Sequence, residues 1–208
     1  MRNTVKLDTL CDITSGIALS RVKPKAEEAP RAQEGAERTG VKKIKVLMSK
    51  AISKGIVDVE ELAEEEVGEV KPAYLTQAGD VVIKLTTPFD CAYIDEGLEG
   101  MLVTSFAGVL RAKPGSEIDM RFLAAYLNAE PSARYLSSVC SGVTSLKTLR
   151  KKNLKDMEVP IVPLEKQRLL AKLWELTRRR KDEYLRLIEL DRQLFEGELQ
   201  RTIAKGDE

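Results

Sequence analysis

From Leu164 to about Ala204 the sequence contains no proline, and Gly197 is the only interior glycine. A stretch of ~40 residues without a breaker is predicted to form one continuous α-helix, roughly 60 Å long at 1.5 Å per residue. Leu170, Leu173, Thr177, Tyr184, Leu187 and Leu194 recur in an a/d-like frame that Arg180 and Asp191 interrupt. Ile188, Phe195, Leu199 and Ile203 extend a second apolar stripe. Such a rod is too long to bury both stripes on a small domain, so a partner helix is expected. The alternative is a terminal helix folded back on its own domain.

The preceding 163 residues must then supply a core, and composition allows one: 43% of the chain is apolar and 32% charged, which argues against wholesale disorder. With 34 basic and 33 acidic residues the formal charge is +1, which excludes a uniformly basic binder but leaves room for local patches. Histidine is absent, so Ser-His-Asp and Cys-His catalysis and histidine metal ligation are unavailable. Cys11, Cys91 and Cys140 are odd in number, far apart and in no CxxC pair. Neither a structural zinc site nor a disulfide scaffold is expected, and a reducing cytoplasm is the natural compartment. The N-terminus lacks an apolar signal core and no apolar run approaches the ~20 residues of a membrane span, so a soluble intracellular protein is expected.

Along the chain, residues 1–18 read as a short strand or turn leading to a loop, and residues 19–40, rich in Pro, Ala, Glu, Arg and Gly, as a long surface loop. From Val41 to Lys155 the pattern is α+β. Ile44, Val46 and Met48 alternate with Lys45 and Leu47 and predict a strand. Seven carboxylates between Asp58 and Glu69 read as a solvated connector rather than a metal site. The Gly79-Asp80 turn feeds a strand at Val81–Leu85, and Met101–Leu110 reads as a further, more buried strand. Asp119 is placed to cap a helix bearing Phe122, Leu123, Tyr126 and Leu127. Pro131 opens a second short helix with Tyr135 and Leu136 inside, ended at Ser141-Gly142. Val159-Pro160-Ile161-Val162-Pro163 reads as extended.

Enzymatic motifs fail one by one. There is no GxxxxGK[ST] loop and no GxGxxG fingerprint. Thr87-Pro88-Phe89 matches only part of an adenine-methyltransferase loop, lacking the second proline and the leading amide or acid, and reads as a turn. Asp80, Lys84 and Asp90 form a loose set that a divergent nuclease would need at closer range. Cys140 has no base partner and reads as a half-buried thiol. What remains is electrostatic. Residues 41–57 carry Lys42, Lys43, Lys45, Lys50 and Lys54, and residues 141–155 carry Lys147, Arg150, Lys151, Lys152 and Lys155, with no acid in either segment. Such patches neutralise phosphates without choosing a sequence. Ser141, Thr144, Ser145, Thr148 and Asn153 stand nearby as groups able to read base edges.

The order of these elements resembles one half of the specificity subunit of type I restriction–modification enzymes. Val5-Lys6-Leu7 with Asp12-Ile13 through Gly16 is similar to that family's opening, and Leu75 to Val82 to its L-x-x-GD strand. Phe122-Leu123, Tyr126-Leu127 and Ser141-Gly142 resemble its helix and small-residue loop. Leu154, Met157, Val159, Pro160 and Ile161, then Pro163-Leu164-Glu165-Lys166-Gln167, resemble its exit into the long helix; Val162 and Lys166 depart from the usual pattern there. The resemblance implies a non-catalytic DNA-recognition subunit with no cofactor of its own. It also implies an α+β target-recognition domain (1–163) with a small mixed sheet, and a long spacer helix (164–208). A full specificity subunit has two recognition domains and two helices paired antiparallel, so a half-length chain is expected to dimerise across a two-fold axis and read a bipartite double-stranded target. The implied partners are the methyltransferase subunit and, indirectly, the restriction subunit, which would bring S-adenosylmethionine and ATP. Lys42, Lys43, Lys45, Lys147, Arg150, Lys151 and Lys152 are the expected phosphate contacts, and Leu173, Thr177, Tyr184, Leu187 and Leu194 the expected seam. The rival expectation is a coiled-coil adaptor or decoy that binds the methyltransferase without reading DNA.

Overall fold

Short β-branched runs separated by tight turns build the first part of the chain, and the breaker-free run builds the second. The computed structural model describes residues 4–24, 41–140 and 147–206. The chain divides into two units, Met1–Arg168 and Leu169–Glu208. The first begins with β1 (Thr4–Lys6), a single helical turn α1 (Leu7–Leu10) and β2 (Cys11–Ser15). Then come β3 (Lys42–Leu47), β4 (Ile52–Ser53), β5 (Ile56–Val57) and β6 (Ala63–Val67). After these follow β7 (Val81–Lys84), β8 (Cys91–Tyr93), β9 (Leu102–Val103) and β10 (Ala107–Ala112). The unit closes with α2 (Met120–Asn128), α3 (Glu130–Val139), α4 (Lys151–Lys155), β11 (Glu158–Pro160) and the start of α5 (Leu164–Gly206).

The largest sheet is four-stranded and antiparallel, in the order β2-β10-β7-β8. A three-stranded mixed sheet, β6-β3-β9, pairs β3 antiparallel with β6 and parallel with β9. Two ribbons, β1-β11 and β4-β5, complete the set. One apolar cluster joins Leu47, Ile52, Val82, Ile94, Met101 and Val109, and a second joins Val22, Val46, Val67 and Leu102. The β1-β11 ribbon ties the N-terminus to the exit of the unit: Val5 lies opposite Val159, and Leu7 N donates to Met157 O at 2.8 Å.

The predicted elements at β3, β7, α2, α3 and α5 are all present. Gly79 takes φ +89°, which closes the Gln77–Asp80 turn, and the Asp80 carboxylate accepts from Gln77 N at 2.8 Å. Asp119 caps α2 by accepting from Phe122 N at 3.0 Å. Three expectations need correction. The acidic run is an edge strand, β6, because lysines on β3 lie directly across from its glutamates and offset their poor strand propensity. Met101–Leu110 is two strands, broken by a turn in which Ala107 N donates to Thr104 O at 2.9 Å. Leu136 is buried as expected, but Tyr135 is exposed. The breaker Ser141-Gly142 and most of the expected loop, residues 25–40, lie outside the described residues.

The helix α5, most of which makes up the second unit, is continuous, and its 43 residues span about 65 Å. Its polar side chains are paired along the helix, Glu175 with Arg179 at 2.5 Å, Arg178 with Asp182 at 3.1 Å and Glu198 with Arg201 at 2.5 Å. Leu169, Leu170, Leu173, Leu176, Tyr184, Leu187, Ile188, Leu194 and Phe195 are exposed. At 3.6 residues per turn these side chains fall within an arc of about 120°, and with the equally exposed Leu185, Leu190, Leu199 and Ile203 the arc widens to about 220°, so the two sequence stripes adjoin as one broad face. Among the described residues no helix is long and apolar enough to cross a membrane.

Candidate nucleic-acid interface

The helical turn α4 is anchored by the residues on either side of its basic ones. Leu149, Leu154 and Met157 are buried, which leaves Arg150, Lys151 and Lys152 exposed on the opposite side of the turn. Lys155 is drawn back to Asp8 at 2.8 Å, and that bond holds the Asp8 carboxyl below the usual carboxylate range, with Lys113 and Lys151 adding to the pull. Arg150, Lys151 and Lys152 have no ion-pair partner among the described residues, so three positive charges face solvent together.

Upstream of α4, Lys147–Leu149 lies beside the end of β7. Leu149 N donates to Leu85 O at 2.8 Å, Thr87 N to Lys147 O at 3.3 Å, and Thr148 bridges to Thr86. Thr148 is exposed. Two expected contact residues are engaged within the fold: Lys147 Nζ donates to Ser137 O at 2.8 Å, and Asn153 Nδ2 to Val139 O at 2.9 Å. Ser141, Thr144 and Ser145 lie outside the described residues.

The two basic segments, equal in sequence, differ in structure. On β3, Lys43 lies opposite Glu66 and Lys45 opposite Glu64, while Lys42 faces Val67. Directly opposed side chains in a sheet stand about 5 Å apart at Cβ, close enough for opposite charges to offset each other. Lys50 is paired with Glu61 at 2.5 Å. The carboxylates read as a solvated connector therefore sit against the first lysine segment and partly offset its charge.

The loose acidic set resolves into two separate pairs. Asp80, almost fully buried, receives two bonds from Arg111, Nε to Oδ1 at 2.8 Å and Nη2 to Oδ2 at 2.7 Å; this bidentate bond raises the arginine's pKa further. Lys84 pairs with Asp90 at 3.2 Å. A cleft of about 370 Å³ beside Asp80 is lined by Gln77, Tyr93, Arg111, Asp119 and Arg121. Arg121 there reaches Asp95 at 2.6 Å and stacks 4.2 Å above the Tyr93 ring.

At the boundary of the first unit, Gln167 is fully buried and all its amide bonds are made. Its Oε1 accepts from Asp119 N at 2.8 Å, and its Nε2 donates to Val162 O at 2.8 Å and Glu117 O at 3.0 Å. The sequence marked Gln167 only through the family pattern; two of its three partners lie 48 and 50 residues away. Sequence reading missed Phe106, which it placed inside a buried strand; the ring is exposed on the turn between β9 and β10.

The first unit is thus an α+β fold with Arg150, Lys151 and Lys152 exposed on one turn, and the second is a long helix with a broad apolar face. The family model for the type I restriction modification DNA specificity domain matches residues 23–175, and the chain belongs to that family. No curated protein matches the sequence. Among solved structures, the fold is similar to a chain from work on complex assembly and conformational transition of the type I R-M system, at 20% identity and TM-score 0.62, covering 88% of this chain and 44% of that one. It is similar to the HsdS subunit from Thermoanaerobacter tengcongensis, at 16% identity and TM-score 0.52, covering 86% of this chain and 37% of that one. The type I restriction–modification S subunit from M. genitalium matches at 16% identity and TM-score 0.53, covering 93% of this chain and 43% of that one. The chain thus spans less than half the length of each of these structures.

Proposed function

We propose that this protein is a sequence-specific DNA-recognition subunit of a type I restriction–modification system and has no catalytic step of its own. The observation that carries the reading is the exposed trio Arg150, Lys151 and Lys152 in a chain whose family is defined by DNA specificity. These side chains neutralise backbone phosphates, and nearby groups such as Thr148 face the bases. Lys42, Lys43, Lys45 and Lys147 form an outer set of phosphate contacts, the β3 pair softened by Glu64 and Glu66. The exposed face of α5 supports pairing with a second copy. An antiparallel pair across a two-fold axis, with Leu173, Thr177, Tyr184, Leu187 and Leu194 at the seam, presents two identical domains to an inverted-repeat target. A face of about 220° is wider than the a/d seam of a two-helix pair, and the remainder suits docking of the methyltransferase subunit. That partner supplies the methyl-transfer chemistry and recruits the restriction subunit in turn. The working compartment is the cytoplasm, where the DNA is.

Duplex binding measured by fluorescence anisotropy across a salt series tests this. The wild type is expected to bind with a steep log–log salt slope, and the Arg150→Ala/Lys151→Ala/Lys152→Ala variant to lose about 0.9 of slope for each phosphate contact removed. Unchanged binding would remove α4 from the interface. No duplex binding by the wild type would favour the adaptor.

A further inference from the structure

Phe106 is the phenylalanine of the first unit that the core does not take up: it is 54% exposed, against 7% for Phe89 and 6% for Phe122. A single apolar side chain at a surface is ordinary. Its platform is not. Ser105 N donates to Ile17 O at 3.1 Å, Leu85 N to Phe106 O at 2.8 Å, and Gly16 N to Ala107 O at 2.9 Å. The Thr104 hydroxyl donates to Leu47 O at 3.2 Å inside the core. From within, Gly16 packs so tightly that an added Cβ would stand 2.2 Å from Thr104 O, which only glycine permits. The tip of this turn is therefore an exposed aromatic ring on a backbone fixed from both sides. Such a group loses little conformational freedom on meeting a ligand.

Leu85 connects this tip to the basic turn. Its N–H bonds Phe106 and its carbonyl bonds Leu149, the residue before Arg150. Phe106 and Leu149 are thus both hydrogen-bonded to the one residue, Leu85, at 2.8 Å each, which holds the tip and the residue before the basic turn beside the same point at the end of β7. A B-DNA major groove is about 12 Å wide, so phosphates held at Arg150–Lys152 bring base edges within reach of the ring. We propose that Phe106 is a base-contacting residue that helps choose the target, its ring resting on the apolar surface of a base while α4 holds the phosphates. This rests on the DNA-recognition reading above.

The full-length wild-type chain is used to select a preferred duplex from a random pool. Binding of that duplex and of a scrambled one is then measured for the wild type, Phe106→Ala and Phe106→Leu. Phe106→Ala is expected to weaken binding of the selected duplex about ten-fold, while its affinity for the scrambled duplex, its salt slope and its unfolding midpoint stay at wild-type values. Phe106→Leu, which keeps part of the apolar surface, is expected to fall between. Equal binding of the selected duplex by wild type and Phe106→Ala overturns the assignment, as does an equal loss on both duplexes. A wild type that binds no duplex overturns the DNA-recognition reading itself, and this assignment with it.

Discussion

Replacing Gln167 with alanine removes the side-chain partner of three part-buried backbone groups at once: the Asp119 N–H and the Glu117 and Val162 carbonyls. Leaving a buried donor or acceptor without a partner costs about 1–3 kcal/mol each. Because these groups are only part-buried the low end applies, and the total is about 3 kcal/mol, a large share of the 5–15 kcal/mol typical of a domain. With a urea m-value of about 2 kcal/mol/M, the midpoint is expected to fall by about 1.5 M, followed by the near-ultraviolet circular dichroism of the tyrosines. Gln167→Glu separates hydrogen bonding from shape. It keeps an acceptor for Asp119 N, but above neutral pH it turns a carboxylate towards two carbonyl oxygens. Burial and those oxygens raise its pKa above the unfolded value of about 4.3. The folded state then binds more protons than the unfolded one, so stability relative to wild type falls as pH rises through that window and recovers on acidification. A midpoint shift below about 0.3 M for Gln167→Ala, or a Gln167→Glu variant as stable as wild type at pH 8, would refute the reasoning.

Three other outcomes are expected. Leu187→Asp/Leu194→Asp places carboxylates on the exposed apolar face of α5 and should leave only monomers in sedimentation velocity; a persistent dimer would place the seam elsewhere. Asp80→Asn leaves Arg111 without its bidentate partner and should cost about 2–3 kcal/mol in urea unfolding, less than a fully buried pair because Arg111 is partly exposed; a loss under about 0.5 kcal/mol would show that water replaces the carboxylate. Burial pushes the Cys11 thiol up to about 12 and Cys91 well above its ordinary value, and raises half-buried Cys140 while Lys147 pulls the other way. Iodoacetamide at pH 8 should therefore mark Cys140 alone in the native protein and all three thiols in urea, read by peptide mass spectrometry; native labelling of Cys11 or Cys91 would contradict that burial.

What the sequence determined by itself is whatever rests on local chemistry. The absence of proline between Leu164 and Ala204 dictates α5 because nothing in it interrupts the backbone ladder. Asp119 caps α2, and Gly79-Asp80 turns into β7, because a cap and a positive φ are requirements of a few adjacent residues. Tertiary structure alone decided everything that depends on which distant residues meet. The glutamates at 64 and 66 look like solvated loop until β6 is laid against the β3 lysines, which sets carboxylates directly across from the first basic segment. Phe106 reads as core until Gly16 and Leu47 are seen to pin its turn at the surface. Gln167 reads as one more polar helical residue until Glu117 and Asp119 arrive beside it. Pairings across such separations are set by the joint packing of many side chains, and no local pattern encodes them.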